Sequence, residues 1–180
     1  MVAVSAVLLT SRVAGALDVP ARTQARLIAK VAEYDRNLVR REGVRVILLV
    51  RKAGDAESAS VADELAAELG AVDRIAGGPH RHAVVEFVSA ADLVEKVKTH
   101  NAALVYLSSG LQDQIGGVAR ALEGISVLTV GAGPGDAERG TVLAFDMVSG
   151  RVQIVVNLAR AKAQNAAFRP EFLRLARVIR

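Results

Sequence analysis

Short apolar runs alternate with amphipathic stretches along most of the chain, and this alternation predicts strands that alternate with helices. The apolar runs are the predicted strands, and the run at residues 44–50 is typical of a strand buried on both faces. The strands are predicted at residues 44–50, 83–88, 102–107 and 125–130. The predicted helices between them run from Ser58 or Ser60 to Leu69, from Ser89 to Thr99 and from Gln112 to Leu122. This order favours right-handed crossovers and a parallel sheet with helices on both faces.

A long helical pattern precedes the first of these strands. It opens at Pro20 and stops at Gly43, and its apolar face comprises Ile28, Val31, Ala32, Leu38 and Val39. Asp35 lies on the same face. A buried carboxylate must be hydrogen-bonded or paired, because isolated burial of its charge is very costly. Two interpretations follow: Asp35 caps a neighbouring helix or loop, or it helps to line a ligand pocket.

The alternation of predicted strands and helices ends after residue 140. The apolar runs 141–148 and 151–158, joined by Ser149-Gly150, are too close together for a crossover and predict an antiparallel hairpin. A final helix is predicted from Pro170, with Phe172, Leu175, Ala176 and Ile179 on one face. The sequence therefore predicts an α/β fold: a single-domain three-layer α/β/α sandwich whose mostly parallel sheet carries a C-terminal antiparallel hairpin.

Length and composition narrow the class of protein. A chain of 180 residues fits one ordinary domain. With 52% hydrophobic and 23% charged residues, it is too apolar for disorder and too often interrupted by charge for a multi-span membrane protein. The lack of cysteine excludes disulfide scaffolds, thiolate zinc sites and thiol nucleophiles. Only 3% of residues are aromatic, which disfavours a base-stacking surface for nucleic acid.

The formal net charge of +4 is unevenly distributed. Residues 151–180 contain seven basic residues and one acid, Glu171, whereas residues 1–150 are slightly acidic. Such a tail can contact phosphate or acidic protein surfaces, but most basic helical faces are simply solvated. No nucleic-acid partner is predicted.

The N-terminal segment has features of a secretory signal. Residues 2–10 form an uncharged apolar run, and Ala14-Gly15-Ala16 fits the small-x-small cleavage rule. Residues 1–16 are therefore predicted to be a signal peptide and residues 17–180 the mature domain, which would be exported. The apolar run is short and no basic residue precedes it, so a first strand or a frayed terminus is the alternative.

Motifs for catalysis or cofactor binding are weak. Gly131-Ala132-Gly133-Pro134-Gly135 follows a predicted strand, but Pro134 and a following hairpin do not fit a dinucleotide fingerprint, so a loop with several positive φ angles is expected. Ser108 and Ser109 have no base at a recognisable spacing, and His80 with His82 is more typical of a surface than of a metal site. No enzymatic activity, cofactor or metal is predicted.

Ligands of open α/β sheets bind beyond the carboxyl ends of the parallel strands. The residues predicted at that edge are Arg51, Lys52, Ser89, Ser108 to Gly110 and Gly131 to Gly133. Their hydroxyls, backbone N–H groups and cations suit a small anionic ligand, but they offer no acid/base pair. This inventory favours binding over catalysis.

Two stretches carry motifs that occur together in one known family. The first comprises Val19-Pro20 through Leu27-Ile28 and Tyr34-Asp35-Arg36-Asn37. The second and more specific one includes Val127-Leu128-Thr129-Val130-Gly131, the Gly-Pro-Gly turn, Glu138-Arg139-Gly140, Gly150-Arg151-Val152, Val156-Asn157-Leu158 and the closing residues 172–179. On these motifs the chain resembles the YfiR-like (YfiR/HmsC) family over nearly all of the mature domain, and residues 52–100 are generic.

The resemblance implies a periplasmic regulator that binds and represses an inner-membrane diguanylate cyclase, and thereby controls cyclic diguanylate signalling and biofilm formation. Two features depart from the family pattern. The chain has no cysteine to couple disulfide state to repression, and Ala166-Ala167-Phe168-Arg169-Pro170 replaces the usual small-polar segment. Related domains also occur fused to histidine kinases. The alternative function is therefore a periplasmic small-molecule sensor that acts with a histidine kinase or transporter.

The candidate ligand- or partner-binding residues are Asp35, Arg36, Asn37, Ser108, Gly131, Arg139 and Asn157. Two of them have explicit structural alternatives: Asn157 can satisfy backbone groups at a strand end, and Arg139 can pair with Asp136 or Glu138. The apolar composition and the hairpin edge are also compatible with a homodimer.

Overall fold

The computed structural model describes residues 19–180 and contains a seven-stranded sheet with helices on both faces. The strands are β1 (Arg45–Lys52), β2 (His80–Phe87), β3 (Ala102–Leu107), β4 (Leu128–Gly131), β5 (Leu143–Val148), β6 (Arg151–Asn157) and β7 (Arg177–Ile179). Their spatial order is β2-β1-β3-β4-β5-β6-β7. All neighbouring pairs are parallel except β5 and β6, so the predicted α/β class with an antiparallel hairpin is confirmed.

Eight α-helices connect or flank these strands in the described part of the chain. They are α1 (Ala21–Ala32), α2 (Arg36–Arg40), α3 (Ala56–Gly70), α4 (Ala90–Thr99), α5 (Ile115–Ala121), α6 (Asp136–Arg139), α7 (Leu158–Ala163) and α8 (Pro170–Leu173). A 3₁₀ turn at Gln112–Gln114 leads into α5. None of these helices has the length and apolar character needed to cross a membrane.

The sheet separates two hydrophobic cores, because successive side chains of a strand point to opposite faces. On one face Ile47 and Leu49 of β1 pack in a core with α1 and α3. On the other, Leu48 and Val50 pack in a core with α4 and α5. All four side chains are inaccessible to solvent, which explains why β1 is continuously apolar rather than alternating.

The predicted long N-terminal helix is wrong, because it breaks into α1 and α2 at Asp35. The Asp35 backbone is extended, with φ −85° and ψ 109°, and its carboxylate accepts hydrogen bonds from the backbone of the following residues. An N-cap of this kind starts a new helix, and helical periodicity alone does not reveal the break.

The predicted start of α3 is also wrong. Asp55 caps this helix by accepting from the Ser58 N–H at 3.0 Å. Ser58 itself is buried, and its hydroxyl accepts from the Lys52 N–H at 2.8 Å. By contrast, the predicted cap of α4 by Ser89 is confirmed.

The predicted final helix is wrong beyond its first turn. The helix that starts at Pro170 ends at Leu173, and residues 177–179 form β7, which pairs in parallel with the outer edge of β6. The predicted apolar face of this helix included Leu175, but Leu175 is 76% exposed. Pairing with an available strand edge therefore overrides the local helical pattern.

The glycine-rich loop after β4 differs from its prediction. Only Gly135 within Gly131–Gly135 has a positive φ, of 75°, and the short helix α6 follows rather than a hairpin strand. Gly131 is required for space instead, since a Cβ there would overlap the Asp136 side chain.

We expect Gly131→Ala to destabilise the fold by about 1–3 kcal/mol, because the added methyl group must displace buried Asp136. Gly117→Ala is the matched control: this α5 glycine has open space around its Cβ position, so alanine should stabilise the helix by about 0.5–1 kcal/mol. Urea unfolding measures both values. Equal effects of the two substitutions would contradict the close packing of Gly131.

Candidate functional site

The predicted site residues do not converge on one place but lie mainly at two opposite edges of the sheet. Asp35, Arg36 and Asn37 lie near the amino ends of β3 and β4. Ser108 and Gly131 lie at the carboxyl ends of the same two strands. The remaining two, Arg139 and Asn157, lie at the end of α6 and at the start of α7.

Asp35 joins two distant parts of the chain. Its Oδ1 accepts from the N–H groups of Asn37 at 3.0 Å, Leu38 at 3.4 Å and Ala167 at 3.0 Å. The residue is only 3% exposed, so these donors replace the water that would otherwise solvate the carboxylate. Asp35 is therefore a helix cap, and it also forms part of a cavity wall.

Residues 166–170 are the partner of this turn. The Arg36 N–H donates to the Ala167 carbonyl and the Arg169 N–H donates to the Tyr34 carbonyl, both at 3.0 Å. The Tyr34 ring stacks on Phe172 with a centroid distance of 5.4 Å. Arg36 takes part through its backbone, and its side chain is exposed.

A cavity of about 250 Å³ opens at this amino edge of the sheet. Its lining residues are Asp35, Asn37, Leu38, Arg40, Arg41, Ala103, Ser126, Val127, Leu128, Gln164 and Asn165. Asn37 closes one side, because its Nδ2 donates to the Asn165 carbonyl at 2.6 Å. We call this space the amino-edge cavity.

Sequence reasoning missed the other polar residues of the amino-edge cavity. Arg40 and Arg41 follow the predicted Asp35–Asn37 cluster directly, so their proximity to it was a usable signal. Gln164 gave no such signal, because its hydrogen-bond partner Thr129 is 35 residues away in the chain. Ser126 likewise lies in a loop without a motif.

The carboxyl edge has the predicted polar residues, but its cations are already paired. Arg51 Nη2 lies 2.9 Å from Glu86 Oε1, and Lys52 Nζ lies 3.9 Å from Asp55 Oδ2. A second cavity of about 300 Å³ lies beside these residues. Ser89 is occupied as the cap of α4.

Ser108 and Ser109 lie where β3 ends, next to the carboxyl end of β1. Both hydroxyl groups are buried and have no hydrogen-bond partner among residues 19–180. His80 lies on β2 rather than in a loop, and its Nε2 contacts the Val72 carbonyl at 2.7 Å. The described residues contain no cluster of three or more side chains able to hold a metal ion.

Asp136 is the buried acid of the carboxyl edge. Its Oδ2 accepts from the Gly133 N–H at 2.9 Å, and its Oδ1 lies 3.3 Å from Arg139 Nη1. Burial raises the pKa of Asp136 to about 6, although the Gly133 hydrogen bond and the charge of Arg139 oppose this shift. Arg139 therefore pairs with Asp136, one of the two acids that the sequence analysis gave as its possible partner.

Asn157 connects the hairpin to two helices. Its Oδ1 accepts from the Arg160 N–H at 3.0 Å and caps α7, while its Nδ2 donates to the Ala137 carbonyl of α6 at 2.9 Å. These bonds satisfy backbone groups at the end of β6, which matches the structural alternative for this residue.

A family model described as YfiR/HmsC-like matches residues 53–177, more than two thirds of the chain. No curated protein matches the sequence. Among solved structures, the chain is similar to a conserved domain protein from Vibrio cholerae O1 biovar El Tor, with a TM-score of 0.60 and 14% identity over 91% of this chain.

Two further solved structures share the fold. One is an ABC domain from Streptococcus pneumoniae in complex with L-Trp (TM-score 0.61, 14% identity, 89% of this chain covered). The other is the ligand-free, open form of a substrate binding protein with adhesive properties from Clostridium difficile (TM-score 0.68, 10% identity, 91% of this chain covered). This chain spans only about three fifths of each of these structures, at 61%, 62% and 61% of their lengths.

We expect Asp35→Ala to lower the free energy of unfolding by about 2–4 kcal/mol, because it removes a helix cap and leaves the Ala167 N–H without its acceptor. Asp55→Ala, which removes a cap with only a local partner, should cost about 1 kcal/mol. Urea unfolding tests the comparison. A cost for Asp35→Ala no larger than that for Asp55→Ala would contradict the long-range role of Asp35.

The raised pKa of Asp136 means that the folded state binds its proton more tightly than the unfolded state. This carboxyl group therefore favours folding below pH 4, and that contribution is lost as the pH rises through about 6. Asp136→Asn removes the titrating group. Between pH 4 and pH 7, the free energy of unfolding of the wild type should therefore fall by on the order of 2 kcal/mol relative to that of this variant.

Glu138→Gln is the control of opposite sign. Burial acts to raise the pKa of Glu138 too, but the hydrogen bond and charge of Arg177 outweigh it, so the pKa is lowered. The stability that Glu138 contributes is therefore present above its unfolded pKa and is lost as the pH falls. Denaturant unfolding from pH 7 to below pH 4 measures the dependence of stability on pH for both variants. Parallel profiles for the wild type and Asp136→Asn would show that Asp136 has an ordinary pKa.

Proposed function

The chain belongs to the YfiR/HmsC-like family, and from this premise we propose that it is a periplasmic regulator that binds and represses a membrane-bound diguanylate cyclase. Its output would be the level of cyclic diguanylate and, through it, biofilm formation. The observation that carries the proposal is the family match, which runs from the end of β1 to β7. The regulator would act by protein contact and carry out no chemical step itself.

A periplasmic location fits the proposed processing of the chain. Cleavage after Ala16 would leave a mature domain of residues 17–180, and the signal-like residues 1–16 lie outside the described residues. A chain that begins at Leu17 keeps Val19, which is 3% exposed and whose carbonyl accepts from Gln24 Nε2 at 2.8 Å. The proposed cut therefore leaves Val19 and its hydrogen bond with Gln24 in the mature domain.

Repression in this chain must work without a thiol switch, because the sequence has no cysteine. The contacts of residues 166–170 with the Asp35 turn offer a different link between the two ends of the domain. A partner that binds either end would be coupled to the other through these hydrogen bonds.

The second candidate function is a periplasmic small-molecule sensor that acts with a histidine kinase or transporter. The amino-edge cavity of about 250 Å³ favours it, because a sensor needs space for its ligand. The two candidates differ in the membrane protein that the chain contacts.

We expect tagged chain from Leu17 onward to retain a diguanylate cyclase with a periplasmic sensor part from detergent-solubilised membranes of its native host. Mass spectrometry identifies the retained proteins, and excess untagged chain should abolish retention of a specific partner. Co-expression of the chain should lower cyclic diguanylate when that cyclase is active and have no effect when its catalytic site is inactivated.

Recovery of a histidine kinase or transporter in place of a cyclase would favour the sensor function. Retention that untagged chain does not displace, or an unchanged cyclic diguanylate level with a bound cyclase, would contradict repression by direct contact.

A further inference from the structure

The amino-edge cavity has an excess of positive charge. Arg40 and Arg41 line it, and neither lies within 4.0 Å of a carboxylate of residues 19–180. The one acid in the wall, Asp35, already accepts three backbone N–H groups through a single oxygen. The cavity therefore has two cations without an anionic partner.

Arg41 is held in place by neutral groups. Its Nη2 donates to the Asn101 carbonyl at 2.7 Å and its Nη1 to the Ser126 carbonyl at 3.4 Å. Burial, and then the charge of nearby Arg45, lower the pKa of Arg41. Both effects disfavour the positive charge of Arg41, and an anion bound beside Arg41 would offset them.

Gln164 adds a buried donor to the same wall. The Thr129 hydroxyl accepts from the Val142 N–H at 3.0 Å and donates to Gln164 Oε1 at 2.9 Å, which fixes the orientation of the amide. Gln164 is 1% exposed, and its Nε2 has no hydrogen-bond partner among the described residues. A buried amide nitrogen without an acceptor costs roughly 1–3 kcal/mol, so an acceptor that reached it would be stabilised.

The rest of the wall is apolar. Leu38, Ala103, Val127 and Leu128 contribute to it and are each at most 5% exposed. A cavity of 250 Å³ has room for about ten non-hydrogen atoms, since a cavity of about 150 Å³ holds benzene. The wall therefore suits a small molecule with one anionic end and an apolar body.

We propose that the amino-edge cavity binds a small organic carboxylate, with the carboxylate charge facing Arg40 and Arg41 and the Gln164 side chain in the wall beside it. The apolar body would contact Leu38 and Val127. Binding of this ligand does not depend on the proposed regulatory role, and it can be tested on the purified chain without a membrane partner.

The probe is benzoate, with neutral benzamide of the same shape as its comparison. Calorimetric titration of the purified chain should show saturable benzoate binding, and benzamide should bind roughly tenfold more weakly because it lacks the charge. Arg40→Gln and Gln164→Glu should each weaken benzoate binding by roughly tenfold or more. Gln164→Glu keeps the acceptor for Thr129 and removes the donor.

Arg151→Gln is the matched control, since Arg151 is an exposed arginine at the start of β6 and does not line the cavity. It should leave benzoate affinity unchanged. Circular dichroism checks that each variant is folded. Because Arg40 is exposed and its side chain makes no hydrogen bond within residues 19–180, its variant stays informative even where Gln164→Glu does not fold.

Three results would overturn the proposal: no saturable benzoate binding, equal affinity for benzoate and benzamide, or benzoate affinity unchanged by Arg40→Gln. A further outcome would also overturn it: inorganic phosphate binds, Arg40→Gln weakens that binding, and benzoate does not bind. The site would then be one for phosphate. Failure to retain a cyclase from membranes bears only on the regulatory role.

Discussion

The carboxylate of Asp35 is the constraint on which the arrangement of both chain ends depends. A buried charge must be compensated locally, and here a single oxygen receives N–H groups from residues 37, 38 and 167. The same interaction breaks the N-terminal helical pattern into α1 and α2. It also fixes residues 166–169 beside Tyr34, where Phe168 and Phe172 complete an aromatic cluster with a ring distance of 5.1 Å. The Asp35 turn and α2 also form one side of the amino-edge cavity, and the rest of its wall comes from the start of β3, from residues 126–128 and from Gln164 and Asn165.

The parts of the fold that sequence could predict are those whose physical cause is local. Strands β1 and β3 are buried on both faces, so they are continuously apolar, and Ser89 precedes the helix that it caps. The parts that failed depend on distant partners. Residues 177–179 form a strand only because the outer edge of β6 is available to pair with them, and nothing in their own pattern records that edge. The break at Asp35 likewise depends on a carboxylate whose third donor lies 132 residues away.

The candidate residues show the same division. Asp35 was recognisable as an acid on an apolar helical face, but its pattern left open whether it served a helix cap or a cavity, and its position serves both. Asn157 was recognisable as a polar residue at a strand end and Arg139 as a cation beside Asp136 and Glu138, and each is bonded to neighbouring backbone or side-chain groups. Gln164 was not recognisable, because its role is defined by Thr129 and Val142, which other elements bring to it.

The sequence predicted a site for a small anion at the carboxyl edge of the sheet, but what matters is whether each cation already has a partner. At the carboxyl edge, where α/β folds commonly bind ligands, Arg51 is paired with Glu86 and Lys52 with Asp55. An anion there would have to compete with carboxylates that are part of the protein. At the amino edge, neither arginine of the cavity wall lies within 4.0 Å of a carboxylate of residues 19–180, and one oxygen of the nearby acid, Asp35 Oδ1, already accepts three backbone N–H groups. The pairing of charges therefore favours the edge that the strand-end rule does not, and only the folded structure reveals that pairing.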